Sequence, residues 1–160
     1  MRIQRDRTQP GWVGTNTKTL PSLLKVFGCA ELTAAKLIGE TAGVSRFRSE
    51  AAFARHAGVA PIPHWSGPKT VRLKAARSGN RQLNVALYRI AMVQIRHNGP
   101  AEAYYRKRRD AGDSHAGALR RIERRVARSV FGHLRTDQIN RSATSENTRS
   151  FPEPARIETA

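Results

Sequence analysis

Residues 114–134, SHAGALRRIERRVARSVFGHL, decide the fold class. Ala118, Ile122, Val126, Val130 and Leu134 stand four apart and share one side of a helix, while Arg121, Arg124, Arg125 and Arg128 fall on the other. The spacing predicts a helix from about Ser114 to Leu134 with a packed apolar stripe and an arginine face open to phosphate. Working back, Leu83, Leu87, Ile90 and Ile95 give Asn80 to about Arg96 the same period, and Asn98-Gly99-Pro100 separates it from a helix over Ala101 to Asp110 that ends at Gly112. Ser49 can cap a short helix through Ala57, with Glu50 in its first turn and Gly58 closing it. Leu32, Ala35, Ile38 and Ala42 mark a helix from about Glu31 to Ala42, stopped by Gly43. Leu20, Leu23, Leu24 and Phe27 mark another, stopped by Gly28.

The predicted class is all-α or mainly α: a bundle of short helices with a basic irregular loop and disordered termini. Ala60-Pro61-Ile62-Pro63 cannot continue a helix, since each proline lacks an amide donor and restrains the residue before it. The stretch from His64 to Gly79 is expected to be irregular, with residues 70–73, TVRL, as a possible short exposed strand. Residues 1–18 are read as a flexible lead or truncated end, 19–135 as one helical domain, and the polar residues 136–160 as a disordered tail.

Twenty-nine Lys and Arg against 12 Asp and Glu leave a formal charge of +17. An excess of that size repels itself unless a polyanion offsets it, so DNA or RNA leads as partner. No window approaches the roughly 20 apolar residues of a membrane span, and the start, MRIQRDRTQPGWVG, has no signal-peptide core. No membrane is expected; the chain should be cytoplasmic and nucleoid-associated. The lone Cys29 excludes an intramolecular disulfide and a cysteine zinc site.

Three constellations carry chemistry. Phe27-Gly28-Cys29-Ala30 followed by Leu32-Thr33 reads as a glycine-containing hairpin between two helices, whose amides near Gly28, Ala30 and Thr33 could hold a phosphate without reading sequence. Between Ala51 and Ala101 there is no Asp or Glu, yet Arg55, Lys69, Arg72, Lys74, Arg77, Arg81, Arg89 and Arg96 are present. Such a window suits a phosphate backbone and gives Mg²⁺ no carboxylates, so no metal site and no cofactor are expected in this chain. Within it, Ser66 precedes Gly67-Pro68 and Ser78 precedes Gly79-Asn80. Each serine is a turn residue or a nucleophile; the second role needs a base, for which His64 or His56 is at hand, and cations such as Lys69, Arg72 or Arg77 to hold the developing phosphoryl charge. Phosphate-loop, HExxH and paired-cysteine motifs are all missing.

The succession LTAAKLIGETAGVSRFRSEAAFARHAGVAP, WSG, RSGNRQLNVALYRIAM and AYYRKRRDAG, followed by the arginine-rich helix, resembles the C-terminal transposase domain of the insertion sequence 110 family, grouped with 116 and 902, over about Leu20 to Arg135. The resemblance implies DNA recombination through a serine nucleophile, at Ser66, with Ser78 and its block as supporting structure. The Gly28 to Ala35 segment would be the helix-hairpin-helix element. It also implies DNA and a structured guide RNA as partners, an oligomer in the full-length family, and a RuvC-like N-terminal domain with a carboxylate metal site. Residues before Thr19 hold no counterpart of that domain, so Mg²⁺ is implied only there. The expectation is a truncated fragment, catalytically incomplete alone; the alternative is a stand-alone basic nucleic-acid-binding module without enzymatic activity.

Overall fold

The computed structural model describes residues 22–65, 71–75 and 78–149, with side chains over 22–61 and 78–144. In chain order it has α1 (Glu31–Thr41), α2 (Glu50–His56), β1 (Pro61–Trp65), β2 (Val71–Ala75), α3 (Arg81–Arg96), α4 (Glu102–Asp110) and α5 (His115–Arg149), with 3-10 turns at Leu23–Lys25 and Val44–Arg46. The fold is mainly α. α5 touches α2, α3, α4 and both 3-10 turns, and α1 packs on α3.

The predicted stripe of α5 forms the core: Ala118, Ile122, Val126, Val130 and Leu134 are all buried. Of these, Ile122, Val126, Val130 and Leu134 meet Leu83, Leu87 and Ile90 of α3 and Phe53 of α2 in one cluster. Phe53 stacks edge-on against Phe47, with ring centroids 5.4 Å apart, and tilts against Phe131 at 5.6 Å. Caps agree with the side chains present. Ser49 Oγ accepts from the Ala52 amide at 3.2 Å, and Asn80 Oδ1 accepts from the amides of Gln82 and Leu83 at 2.9 and 3.0 Å.

Four expectations are corrected. α5 does not end near Leu134 but runs to Arg149, so residues 136–149 are helical rather than a disordered tail; 150–160 lie outside the described residues. Composition misled because the segment is polar, yet no Gly or Pro interrupts Arg135 to Arg149. The hydroxyls of Thr136, Ser142 and Thr144 bond to carbonyls one turn back, at Gly132, Gln138 and Asn140.

The helix expected to end at Phe27 is, among the described residues, a single 3-10 turn. Three residues per turn align Leu23 with Val26, and both are buried, whereas Leu24 and Phe27 are exposed. On α1 the inner side carries Ala34, Leu37 and Thr41 rather than Leu32 and Ala42; Leu32 is 65% exposed and Ala42, left-handed at φ 47°, already lies past the helix end. Ala35 is buried and Ile38 packs against the core as the stripe required, but the buried face is centred on Leu37, so the two ends of the stripe fall off it.

In the stretch expected to be irregular, the strand anticipated at TVRL is present as β2, and it pairs antiparallel with β1, Pro61 with Ala75, Pro63 with Leu73, His64 with Arg72 and Trp65 with Val71. Prolines two apart remove amides from one edge of a strand only. A two-stranded ribbon has a free outer edge on which such a loss costs no ladder bond.

Candidate nucleic-acid interface

The basic hairpin stands on a tight backbone clasp. Gly58 (φ 70°) and Gly79 (φ 127°) face each other where the hairpin leaves α2 and enters α3. A Cβ on Gly79 would lie 2.7 Å from the Gly58 nitrogen and 2.8 Å from the His56 carbonyl oxygen, so no side chain fits. Asn80 locks the junction: its amide donates to the His56 carbonyl at 2.7 Å, and its Nδ2 donates to Glu40 Oε2 at 2.7 Å. Asn84 Nδ2 donates to the Ala57 carbonyl at 3.1 Å. One asparagine thus caps α3 while tying it to α1 and α2, and the RSGNR block serves as the hairpin's foot.

Ser78 belongs to that foot and is exposed. Ser66, Lys69 and Arg77 lie outside the described residues; Arg72 and Lys74 hold register positions on β2, opposite His64 and Ile62. Arg81 opens α3, is exposed, and has no acid beside it in the first turn. The α3 amides there are taken by Asn80, so Arg81 presents a side-chain charge at the positive end of the helix dipole.

His56, one candidate base, accepts at Nε2 from Arg46 Nη2 at 3.1 Å, and its ring tilts against Phe47. Burial first, then the Arg46 charge, holds its pKa below the ordinary histidine value, against an opposing pull from Glu40. It is neutral near pH 7, but its ring sits on α2 beneath Phe47 and Arg46. His64 lies on β1, one position before Trp65.

Gly28 (φ 87°) is engaged in packing: a Cβ there would lie 3.1 Å from Val93 and 3.2 Å from the Ile90 carbonyl oxygen. Gln94 Nε2 donates to the Phe27 carbonyl at 2.9 Å, so this turn is docked on α3. Ala30 is the N-cap residue of α1 without a side-chain cap, followed by Glu31, and Thr33 is half-buried in the first turn. Cys29 is buried, and burial pushes its thiol pKa up to about 11, which leaves it unreactive at neutral pH.

The arginine face of α5 is partly engaged: Arg121, Arg125 and Arg128 are exposed as expected, but acids from neighbouring segments reach three of its four members. Glu50 of α2 pairs with Arg124 and, at 3.3 Å, with Arg128. Asp113, in the turn before α5, accepts from Arg121 Nε at 2.9 Å and from Nε and Nη2 of Arg108 at 2.7 and 2.9 Å. The Arg108 hydrogen bonds hold the Asp113 carboxyl below the usual range. Arg125 lies over the Tyr104 ring, 4.0 Å from its centroid. Sequence periodicity sees only one helix at a time and so missed these partners from α2, α4 and the turn; Glu50 was visible only as a first-turn acid.

Between the hairpin foot, α3, α4 and the start of α5 lies a cleft of about 620 Å³, lined by Val59, Ala60, Asn84, Tyr104, Ala116, Leu119, Arg120 and Glu123 among others. Glu123 is buried, and burial raises its carboxyl pKa to about 7, with Arg120 pulling the other way. Among the described residues no group of three or more His, Cys, Asp or Glu could hold a metal ion. Among the same residues no helix is long and apolar enough to cross a membrane.

The family described as Transposase IS116/IS110/IS902 matches residues 21–106. The chain belongs to this transposase family. It is 30% identical over 122 residues to the 44.8 kDa protein of insertion element IS116 from Streptomyces clavuligerus, covering 76% of this chain and 29% of that protein. It is 31% identical over 124 residues to the 42 kDa protein of IS900 from Mycobacterium paratuberculosis, covering 77% of this chain and 31% of that one. Against the 43.6 kDa protein of IS110 from Streptomyces coelicolor the identity is 32% over 115 residues, covering 72% and 28%. The aligned part of this transposase chain therefore spans less than a third of the length of these relatives. Its family match takes in α1 to the middle of α4, with the hairpin and its foot at the centre.

Proposed function

We propose that this chain is the segment of an insertion-sequence transposase that grips DNA through its basic hairpin and carries the nucleophile of strand transfer at Ser66. The observation that carries the reading is a basic, acid-free hairpin held rigidly at Gly58, Gly79 and Asn80 in a member of this family. A rigid foot fixes where the ribbon projects, and phosphate contacts from Lys69, Arg72, Lys74, Arg77 and Arg81 would set its position on a polyanion. A structured guide RNA offers the same backbone chemistry, and the full-length protein would act as an oligomer. Ser78 keeps the structural role of its block.

In the chemical step the Ser66 hydroxyl oxygen forms a new bond to phosphorus, its proton goes to a base, and one existing phosphorus–oxygen bond breaks, the leaving oxygen taking a proton from that protonated base or from water to give a strand end with a hydroxyl. One ester replaces another, so the bond is conserved for rejoining, and nearby cations offset charge on the non-bridging oxygens. No metal step is assigned to these residues.

Two experiments test the reading. Replacing Lys69, Arg72, Lys74 and Arg77 together with Gln should weaken DNA and RNA duplex binding and lower the salt slope by up to about 0.9 per lost phosphate contact; an unchanged slope would remove the hairpin from the interface. Covalent protein–DNA adducts should be trapped in a full-length family protein carrying this segment, with its cognate RNA and DNA. Ser66→Ala should abolish the adduct with binding intact, and Ser78→Ala should leave part of it. An adduct lost only with Ser78 would reverse the assignment, and binding without any adduct would favour a purely nucleic-acid-binding module.

A further inference from the structure

We infer that the cleft beside the hairpin foot receives one unpaired base of the bound nucleic acid, seated against Tyr104 and the apolar wall of Val59 and Leu119, with its edge toward Glu123. This rests on the nucleic-acid binding proposed above and adds a site for a nucleotide taken out of the stack. The cleft's volume of about 620 Å³ falls in the range of small-ligand sites. It opens next to the foot of the basic hairpin, where a nucleic-acid backbone would run.

Its chemistry suits a base better than a phosphate. The apolar groups Val59, Ala60 and Leu119 and the Tyr104 ring give a flat planar group surfaces to cover, and Arg125 already lies over that ring. The other charges of the cleft are matched, Asp113 by Arg108 and Arg121 and Arg124 by Glu50, which leaves the buried Glu123 to meet an occupant and the exposed Arg120 to meet the sugar-phosphate chain that must enter. Below its pKa of about 7 the Glu123 carboxyl is a donor and an acceptor side by side. That pair complements the ring nitrogen and amino group of adenine or cytosine. The charged groups around it are Arg120, Arg121 and Arg124 on α5, Asp113 in the preceding turn, and titratable Tyr104 on α4; Asn84 of α3 and the hairpin foot contribute no titratable group.

The test compares binding of the protein to a short fully paired DNA duplex, to the same duplex with one central unpaired adenosine, and to that duplex with the unpaired position made abasic, with matching RNA duplexes to separate the two sources. The unpaired adenosine should tighten binding on the order of tenfold, as stacking of one base provides, and the abasic duplex should fall back to the paired level. Ala116→Trp fills the cleft from an exposed position and should erase the gain while paired-duplex binding holds. In the wild type the gain should fade as pH rises through about 7, while Glu123→Gln should keep it. Equal affinity for all three DNA duplexes and all three RNA duplexes, or a gain that survives at the abasic site, overturns the inference while leaving duplex binding in place. No binding to any duplex overturns the nucleic-acid reading and this inference together. If Ala116→Trp does not fold, the wild-type comparison with the abasic duplex decides alone.

Discussion

Among the glycines held at positive φ, Gly79 should tolerate an added methyl least, so Gly79→Ala should be the most destabilising of these changes. At φ 127° a side chain carries backbone strain of about 1–3 kcal/mol. The new Cβ would also sit 2.7 Å from the Gly58 nitrogen, 2.8 Å from the His56 carbonyl oxygen and 2.9 Å from the Gly58 Cα. All three are backbone atoms, so no rotamer change relieves the overlap, and overpacking adds roughly 1–3 kcal/mol. Alanine's smaller unfolded-state entropy returns about 0.4–1 kcal/mol, leaving a net loss near 3 kcal/mol. For a chain of this size that corresponds to a fall in Tm of about 10 °C. Gly39→Ala is the control: it lies exposed on α1 with no atom within 4 Å of its added Cβ, and should stabilise by about 0.5–1 kcal/mol. Both values come from urea denaturation followed by circular dichroism. If Gly79→Ala melts at or above the wild type while Gly39→Ala behaves as stated, the clasp does not bear on stability and its description as a tight foot is wrong.

Glu50→Gln removes the acid shared by Arg124 and Arg128; duplex affinity at low salt should rise and the salt slope steepen by about 1 to 2, and anisotropy titrations showing no change would mean that these arginines never face phosphate. Stability should drop by less than about 1 kcal/mol, since the pairs are partly exposed. Glu123 has a folded pKa raised to about 7 from 4.5, so its contribution to stability is fully present below the lower value and is lost as pH rises through the upper one. Denaturation across that window should show wild-type stability declining where Glu123→Gln stays flatter. Asp113 acts with the opposite sign: its carboxyl is held below 3.8, so the stability it brings is lost as pH falls through that lowered value, and Asp113→Asn should flatten the acid limb. Cys29, buried with its thiol at about 11, should resist a thiol reagent in the native state and react fully in denaturant; fast native labelling would contradict its burial.

The helical class and the cap at Ser49 were legible because they depend on local spacing and on side chains that bond their own backbone. α5 was legible for the same reason as far as Leu134: one residue in four is apolar, whatever it packs against. Its continuation was not, since polar residues without Gly or Pro are compatible with either a coil or a helix, and composition alone favours the coil. The hairpin was hidden by its prolines, which exclude a helix yet are harmless on the free edge of a two-stranded ribbon. The site divided along the same line. The acid-free basic window is a property of sequence, whereas the Glu50 clamp joins positions 74 residues apart, and the cleft draws its walls from four separate segments.

The position of α5 also orders events during synthesis. Ser22 Oγ bonds to the His133 carbonyl, 111 residues later, and α2, α3, α4 and both 3-10 turns all rest on the same last helix. A nascent chain therefore carries Leu37, Phe53, Leu83 and Leu87 out of the ribosome with no final surface to cover them until Ile122 to Leu134 have emerged. A stop codon ahead of that segment should yield a product that proteases clear, while one just beyond the core contacts of α5 should leave a folded remainder. The basic hairpin is translated midway, and gains its fixed stance only when the last helix closes the bundle beneath it.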